Sequence, residues 1–164
     1  MSGDESARSK QDSEWQRTTD LHEKYRSSGL ALSVMIVTLS SAALNAIRPQ
    51  GWLGFALFLP IALSIAHQTC IYMGQQHEAR GSWKWFVYGM NAINLNALEP
   101  SDEARRRILR DQQEGVAIAG DKHRDGAALW FTRADRLCIA AAVSFIIGGA
   151  IAAMQLPAVI PGTK

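Results

Sequence analysis

The feature that most constrains this chain is an apolar stretch, residues 52–73, that contains no Asp, Glu, Lys or Arg. Its length matches the hydrocarbon core of a bilayer, which a helix crosses in about 20 residues. Nine of its residues are Leu, Ile or Phe, and each favours insertion by roughly 0.3–0.6 kcal/mol at the helix centre. Trp52 and Tyr72 stand at its ends, where amphipathic rings prefer the headgroup level. The stretch predicts a transmembrane helix.

Two further stretches, 29–47 and 137–156, share this character. None of the 17 Lys and Arg or 15 Asp and Glu residues falls inside any of the three. A helix on a soluble core has one apolar stripe, whereas these stretches are apolar all round. We therefore predict an all-α, polytopic membrane protein with three transmembrane helices, although the mean hydropathy of the whole chain is near zero.

The charged residues divide the chain into five parts. We expect an N-terminal tail without fixed structure that leads into a polar helix, a transmembrane hairpin closed by a turn at residues 48–51, a helical segment outside the hydrocarbon, a third transmembrane helix and a short tail. These parts are residues 1–28, 29–73, 74–136, 137–156 and 157–164.

The segment 74–136 is expected to contain several short helices. Four aromatic residues lie within residues 83–88, and a stripe at three- and four-residue spacing suits a helix at the membrane surface. The stripe is Trp83, Phe86, Met90 and Ile93, and the expected interfacial aromatics are Trp83, Trp85, Phe86, Tyr88, Trp130 and Phe131. Packing of this stripe on the protein's own helices is the alternative. Glycines 115, 120 and 126 predict a looser backbone between two helical pieces.

Charge asymmetry predicts the orientation. Five Lys and Arg residues precede residue 29 and ten lie in 74–136, against Arg48 in the hairpin turn and Lys164 in the tail. Basic residues favour the cytoplasmic side. The N-terminus and segment 74–136 are therefore expected in the cytoplasm, and the C-terminus on the opposite side.

Small residues recur every fourth position in the third apolar stretch. Small side chains let another helix approach closely in lipid, and Thr38, Ser41 and Asn45 give the first stretch a polar face that would also seek a helix. The predicted helix–helix interface comprises Ala140, Ser144, Gly148, Gly149, Ala152, Thr38, Ser41 and Asn45. The pattern leaves open whether the partner is the same chain or another copy.

Polar residues inside the second stretch are candidates for function. His67, Gln68 and Cys70 lie about one turn from its end, and an ionisable group within a membrane is a functional suspect. Haem or metal binding at His67 would need further ligands, for which Cys70 and Cys138 are candidates. A neutral His hydrogen-bonded to a neighbouring helix is the simpler interpretation, and no cofactor is expected.

The remaining charged motifs do not indicate catalysis. Arg105, Arg106, Arg107 and Arg110 could contact lipid headgroups or a partner, or form a solvated helix with nearby acids. A net charge of +2 does not favour nucleic acid. His123 with Asp121 and Asp125 could suggest a metal-dependent hydrolase, but a Gly-flanked loop is the simpler interpretation.

We therefore expect a small integral protein of the inner membrane that acts by assembly, as a subunit or scaffold, and not as an enzyme. Its expected partners are the bilayer and itself as a homo-oligomer, or other membrane subunits. An oligomeric pore lined by Thr38, Ser41, Asn45 and His67 is the alternative hypothesis, and a haem- or metal-binding subunit is a third. In outline the chain is similar to small bacterial membrane effectors and accessory subunits, a likeness of architecture only.

Overall fold

A computed structural model describes residues 2–47, 51–99 and 101–155, without the side chains of 2–19, 21, 22 and 155. Within these ranges the chain forms three α-helices and no strand: α1 (Ser2–Ile47), α2 (Trp52–Ala97) and α3 (Glu103–Gln155). The prediction of an all-helical chain with a helical hairpin is confirmed for this part. All three helices are long and apolar enough to cross a membrane, and each contains one of the apolar stretches recognised in the sequence.

Helix α1 begins earlier than expected. It starts at Ser2, so the prediction of an unstructured start to the chain is wrong. The reason lies in composition, since Glu, Ala, Arg, Lys and Gln supply good helix propensity over these residues. The predicted turn at 48–51 falls mostly outside the described residues, as does the tail 157–164. Of that turn only Gly51 is described, with a positive φ of 62°, which glycine adopts without steric cost.

Helices α2 and α3 run without interruption where the sequence predicted breaks. Helix α2 continues past Gly74 and Gly81, and α3 continues past Gly115, Gly120 and Gly126. The predicted loop around 115–126 is therefore wrong, and so is the division of 74–136 into several short helices. Among the described residues of this segment, the helices are interrupted between Ala97 and Glu103, where the Asp102 amide donates to the Glu99 carbonyl at 3.1 Å.

The chain divides into two compact units. The first unit is Met1–Ala66 with Leu137–Lys164, and the second is His67–Arg136. In the first unit, Leu53 and Leu57 of α2 pack against Ala152 of α3. The half-buried residues around this cluster are Ala43, Leu44, Ile47 and Ile151. In the second unit, α2 and α3 contact each other closely at glycine positions.

Buried positions recur every seven residues along α2 and α3. A seven-residue period is the spacing of a coiled-coil seam, which keeps one narrow face of a helix toward its neighbour. The buried positions with this spacing are Leu53, Pro60, His67, Gly74 and Gly81 on α2, and Gly120, Ala127, Ala134, Ala141 and Gly148 on α3. On α3 every one of these residues is Gly or Ala, so the seam is made of the smallest side chains.

The first unit buries several serines while it exposes many large apolar side chains. Ser33, Ser40 and Ser64 are completely buried, whereas Phe58 is 57% exposed and Ile146 is 68% exposed. Other large apolar side chains on its surface are Val34, Met35, Leu39, Phe55, Ile65, Ile139, Val143, Ile147 and Met154. Soluble monomers rarely expose contiguous apolar surface on this scale. Small and polar residues inside, with large apolar residues outside, are typical of helices packed in lipid.

Candidate functional site

Rings of one helix lie against glycines of the other in the second unit. A Cβ built on Gly74 of α2 would lie 2.5 Å from Cε1 of Phe131, and one built on Gly120 of α3 would lie 3.0 Å from Nε1 of Trp85. The contact at Gly74 is shorter than a real Cβ atom adopts, and the contact at Gly120 is tighter than most, so a side chain at either position requires the facing ring to move. Glycine at these positions lets α2 and α3 approach each other closely. The helices continue through Gly74 and Gly120 because these glycines serve packing and not a turn.

Two histidines meet at the centre of this glycine-lined contact. His77 of α2 and His123 of α3 place their Nδ1 atoms 3.5 Å apart, with ring centroids 5.5 Å apart and planes tilted by 56°. Both side chains are half-buried. A Cβ on Gly126 would lie 2.7 Å from the Nδ1 atom of His77. A Cβ on Gly81 would lie 3.4 Å from the Cβ atom of His123. Each histidine therefore packs on a glycine of the opposite helix.

Trp85 continues the same contact about two turns beyond His77 along α2. Its Nε1 is buried and has no hydrogen-bond partner among the described residues. The Arg124 guanidinium lies 5.7 Å from the ring centroid, within the range of a cation–π interaction, and Tyr88 meets the ring edge-on at 5.3 Å. Trp85 therefore packs on the helix pair, and its interfacial role stays a prediction.

The predicted aromatic set separates into inward and outward members. Phe131 is half-buried against Gly74, and Trp130 is half-buried with the Arg133 guanidinium 5.0 Å from its ring centroid. The stripe predicted from spacing instead faces outward: Trp83 is 62% exposed and Ile93 is 63% exposed. Phe86 and Met90 are exposed as well, and the rings of Trp83 and Phe86 stack at 5.5 Å. Of the two alternatives for this stripe, packing on the protein's own helices is wrong within the described chain.

The small residues of the third apolar stretch divide in the same manner. Gly148 is buried, and a Cβ on it would lie 2.8 Å from the Ala56 carbonyl oxygen of α2. Ala152 is buried in the Leu53–Leu57 cluster. Ala140 and Ser144 are half-buried. Gly149 is exposed, with nothing within 4 Å of its Cβ position. The Gly148 face therefore serves contacts within the chain, and the Gly149 face is open.

The polar face predicted on α1 does not serve packing within the chain. Thr38 and Asn45 are exposed, Ser41 is half-buried, and the Thr38 hydroxyl donates to the Val34 carbonyl one turn earlier at 2.9 Å. Ser33, Ile36 and Ser40 form the buried face instead. A role for Thr38, Ser41 and Asn45 in contacts with another copy stays a prediction.

The polar residues predicted inside the second apolar stretch lie on different sides of α2. His67 and Cys70 are buried, whereas Gln68 is half-buried. Within the described residues no three His, Cys, Asp or Glu side chains come together as a metal site. A role for His67, Cys70 and Cys138 as ligands stays a prediction.

The four arginines near the start of α3 differ in exposure, and their contact with headgroups or a partner stays a prediction. Arg105, Arg107 and Arg110 are exposed, and Arg105 approaches the Asp102 carboxylate at 4.0 Å. Exposed pairs at this distance contribute little to stability. Arg106 is half-buried, and its Nε has no hydrogen-bond partner in the described part of the chain.

Sequence reasoning missed His77, which became visible only through its contact with His123. The sequence pattern that could have indicated His77 is a histidine one turn from a glycine, which occurs on both helices. His77 precedes Gly81 by four residues, and His123 lies three residues from both Gly120 and Gly126. One helix turn separates histidine from glycine on each helix, so two such helices can interlock.

No protein-family model matches the chain, and neither a curated protein nor a solved structure is significantly similar to it. A proposal for its function therefore depends on its own residues and their geometry.

Proposed function

We propose that this chain is an integral membrane protein that acts by assembly, as a subunit or scaffold of a membrane complex. The observation that carries the proposal is the side-chain distribution of the first unit, in which serines are buried while Phe58, Ile146 and similar residues are exposed. In water each such side chain would forfeit roughly 1.5–3 kcal/mol of transfer free energy that burial provides. Lipid removes that cost, because hydrocarbon chains are as apolar as the side chains themselves.

The charge distribution supports one orientation in the inner membrane. Fifteen of the 17 Lys and Arg residues lie in 1–28 or 74–136. The proposal therefore places the N-terminus and segment 74–136 in the cytoplasm and the C-terminus on the opposite side.

The outward stripe on α2 is the proposed surface for a protein partner. Helix α2 is unbroken from His67 to Ala97, and Trp83 lies ten residues beyond residue 73, which is about 15 Å along the axis. The headgroup layer beyond the hydrocarbon is only about 5–7 Å thick. At the average tilt of about 20°, the stripe begins outside that layer. A stripe with 3–4 spacing at this distance suits a partner helix better than lipid.

The open face around Gly149 is the second proposed assembly surface. It lies within the apolar stretch and accepts a neighbouring helix at short distance. The partner that this face supports best is another copy of the chain or a different membrane subunit. A pore finds less support, since His67 is buried and not available to line one.

Fractionation followed by mass measurement tests the proposal. The full-length protein should sediment with membranes, resist extraction by alkaline carbonate and enter solution with mild detergent. Its protein mass in detergent should exceed the 18.0 kDa of one chain, or a stoichiometric partner should co-purify. Recovery in the supernatant without detergent would refute the membrane assignment, and a lone monomer in mild detergent would refute assembly.

A further inference from the structure

The outward stripe on α2 continues at both of its ends with the spacing of a coiled coil. Ala79 stands four residues before Trp83, and Ala97 stands four residues after Ile93. Together with Phe86 and Met90 these residues follow alternating steps of four and three, and all six are exposed. Residues with this spacing form one narrow apolar face along a helix.

The face of α2 that packs on α3 is a different one. A Cβ on Gly81 would lie 3.4 Å from the Cβ atom of His123, and the ring of Trp85 lies against Gly120. Gly81 and Trp85 each lie two residues from Trp83, which is more than half a turn around the helix. The outward stripe is therefore a separate surface that α3 leaves open.

The area of the outward stripe suits a partner that the membrane already confines. A buried aromatic side chain covers about 150–250 Å². Trp83 is 62% exposed and Phe86 is 58% exposed, so the two rings offer on the order of 200–300 Å² per copy. The other four side chains are smaller, and a standard interface buries about 800 Å² per partner. A neighbour in the same membrane needs less area, because confinement raises its effective concentration.

The residues that flank the outward stripe carry almost no charge. Flanking charges set the choice of partner in coiled coils. The flanking residues here are Arg80, Ser82, Val87, Gly89, Asn94 and Asn96, and only the first is charged. In a parallel pair of identical helices Arg80 stands beside Gln75 of the other copy, so no like charges oppose each other.

Two copies inserted with the same topology present their α2 helices in parallel and at the same height. Each residue of the outward stripe then faces its own counterpart across a two-fold axis, which is the symmetry of most homodimers. We propose that two copies of this chain associate in parallel through the outward stripe of α2. This partner deepens the assembly described under the proposed function and rests on it.

Cysteine cross-linking of the full-length protein in native membranes tests the pairing. In a background of Cys70→Ala and Cys138→Ala, both Met90→Cys and Ile93→Cys should form a covalent dimer on oxidation. Only a parallel pair brings both positions within the Cα separation of about 7 Å that a disulfide tolerates. Ile118→Cys is the matched control on α3, because Ile118 is 64% exposed against 63% for Ile93. We expect about tenfold less dimer from this control, since its counterpart lies beyond that separation.

A change in the stripe itself provides the second arm. Trp83→Ser with Phe86→Ser should reduce the cross-link at Ile93→Cys by about tenfold, the loss expected when central aromatic contacts are removed. If circular dichroism shows that this variant does not fold, the comparison of Ile93→Cys with Ile118→Cys decides. Equal cross-linking at these two positions, or none at Ile93→Cys, would overturn the pairing.

Failure of the pairing is distinguishable from failure of the proposed function. A protein that lacks both stripe cross-links, yet has a mass above the 18.0 kDa of one chain or retains another subunit, overturns the second copy as the partner of this stripe and leaves membrane assembly supported. A lone monomer in mild detergent that also lacks the cross-links overturns both.

Discussion

Gly148 of α3 lies directly against the backbone of Ala56 of α2, with 2.8 Å between the position of a Cβ on Gly148 and the Ala56 carbonyl oxygen. A backbone carbonyl within a helix cannot move aside as a flexible side chain would. The adjacent Gly149 has no atom within 4 Å of its Cβ position. One residue thus separates a closed face of α3 from an open one.

Gly148→Ala and Gly149→Ala should therefore change stability in opposite directions. At Gly148 the methyl group overpacks the contact, at a cost of about 1–3 kcal/mol. At Gly149 the same change removes a poor helix former and should be neutral or stabilising by up to about 1 kcal/mol. Thermal unfolding in detergent measures both. Equal effects would show that the Ala56 contact is not present.

The Gly74–Phe131 contact should show a coupled response. Gly74→Ala forces a methyl group to within 2.5 Å of the Phe131 ring, and should lower the free energy of unfolding by about 1–3 kcal/mol. Phe131→Leu removes the ring and should restore part of that loss in the double variant. Gly89→Ala is the matched control on α2, because its Cβ position is open. Strict additivity of the two changes would contradict the contact.

Buried serines offer a test of polar packing. The hydroxyls of Ser40 and Ser64 are buried without a hydrogen-bond partner among the described residues. Replacing such a group by Ala removes an unsatisfied polar atom, so Ser40→Ala and Ser64→Ala should leave stability unchanged or raise it by about 1 kcal/mol. Thermal unfolding in detergent is again the measurement. A clear loss in either variant would reveal that the hydroxyl donates to a group of another molecule.

Variants of the neighbouring residues Trp83 and Trp85 distinguish an effect on assembly from an effect on folding. Trp83→Ser with Phe86→Ser changes two exposed side chains, and should keep the melting temperature while reducing the assembled mass or the recovery of a partner. Trp85→Ala should lower stability by about 2 kcal/mol, below the usual loss for a fully buried aromatic residue, because Trp85 packs on Gly120. Native mass spectrometry and thermal unfolding measure the two effects. Retained assembly in the double variant would remove the stripe as a partner surface.

The helices could be predicted because hydrocarbon compatibility is a local property of the sequence. Residues 52–73 contain enough Leu, Ile and Phe to identify a helix without any tertiary contact. Within the chain, α3 packs through Gly148 and Ala152, whereas α1 packs through Ser33 and Ser40 and leaves Thr38 and Asn45 exposed. Both faces of α1 carry enough polar residues to pack against another helix. Only the position of the neighbouring helix decides which face is buried.

Glycine was the main source of error, for a physical reason. A single glycine can mean a flexible backbone or a close approach of another chain segment, and these differ only in what stands opposite. Trp85 stands opposite Gly120, and His77 stands opposite Gly126, at separations of 35 and 49 residues along the chain. Neither pair has a local signature, so His77 could not be linked to His123 from the sequence.

The seven-residue repetition of Gly and Ala along α3 gives a facing helix little to fix its position along the axis. A helix face made of such small side chains has little relief. A facing helix could therefore shift along it by one heptad and lose little contact. In the second unit, three rings each pack against a glycine of the opposite helix: Phe131 against Gly74, His77 against Gly126 and Trp85 against Gly120. A shift by one repeat would move Trp85 away from Gly120 and His77 away from Gly126, so these contacts favour one axial alignment of the two helices in the second unit.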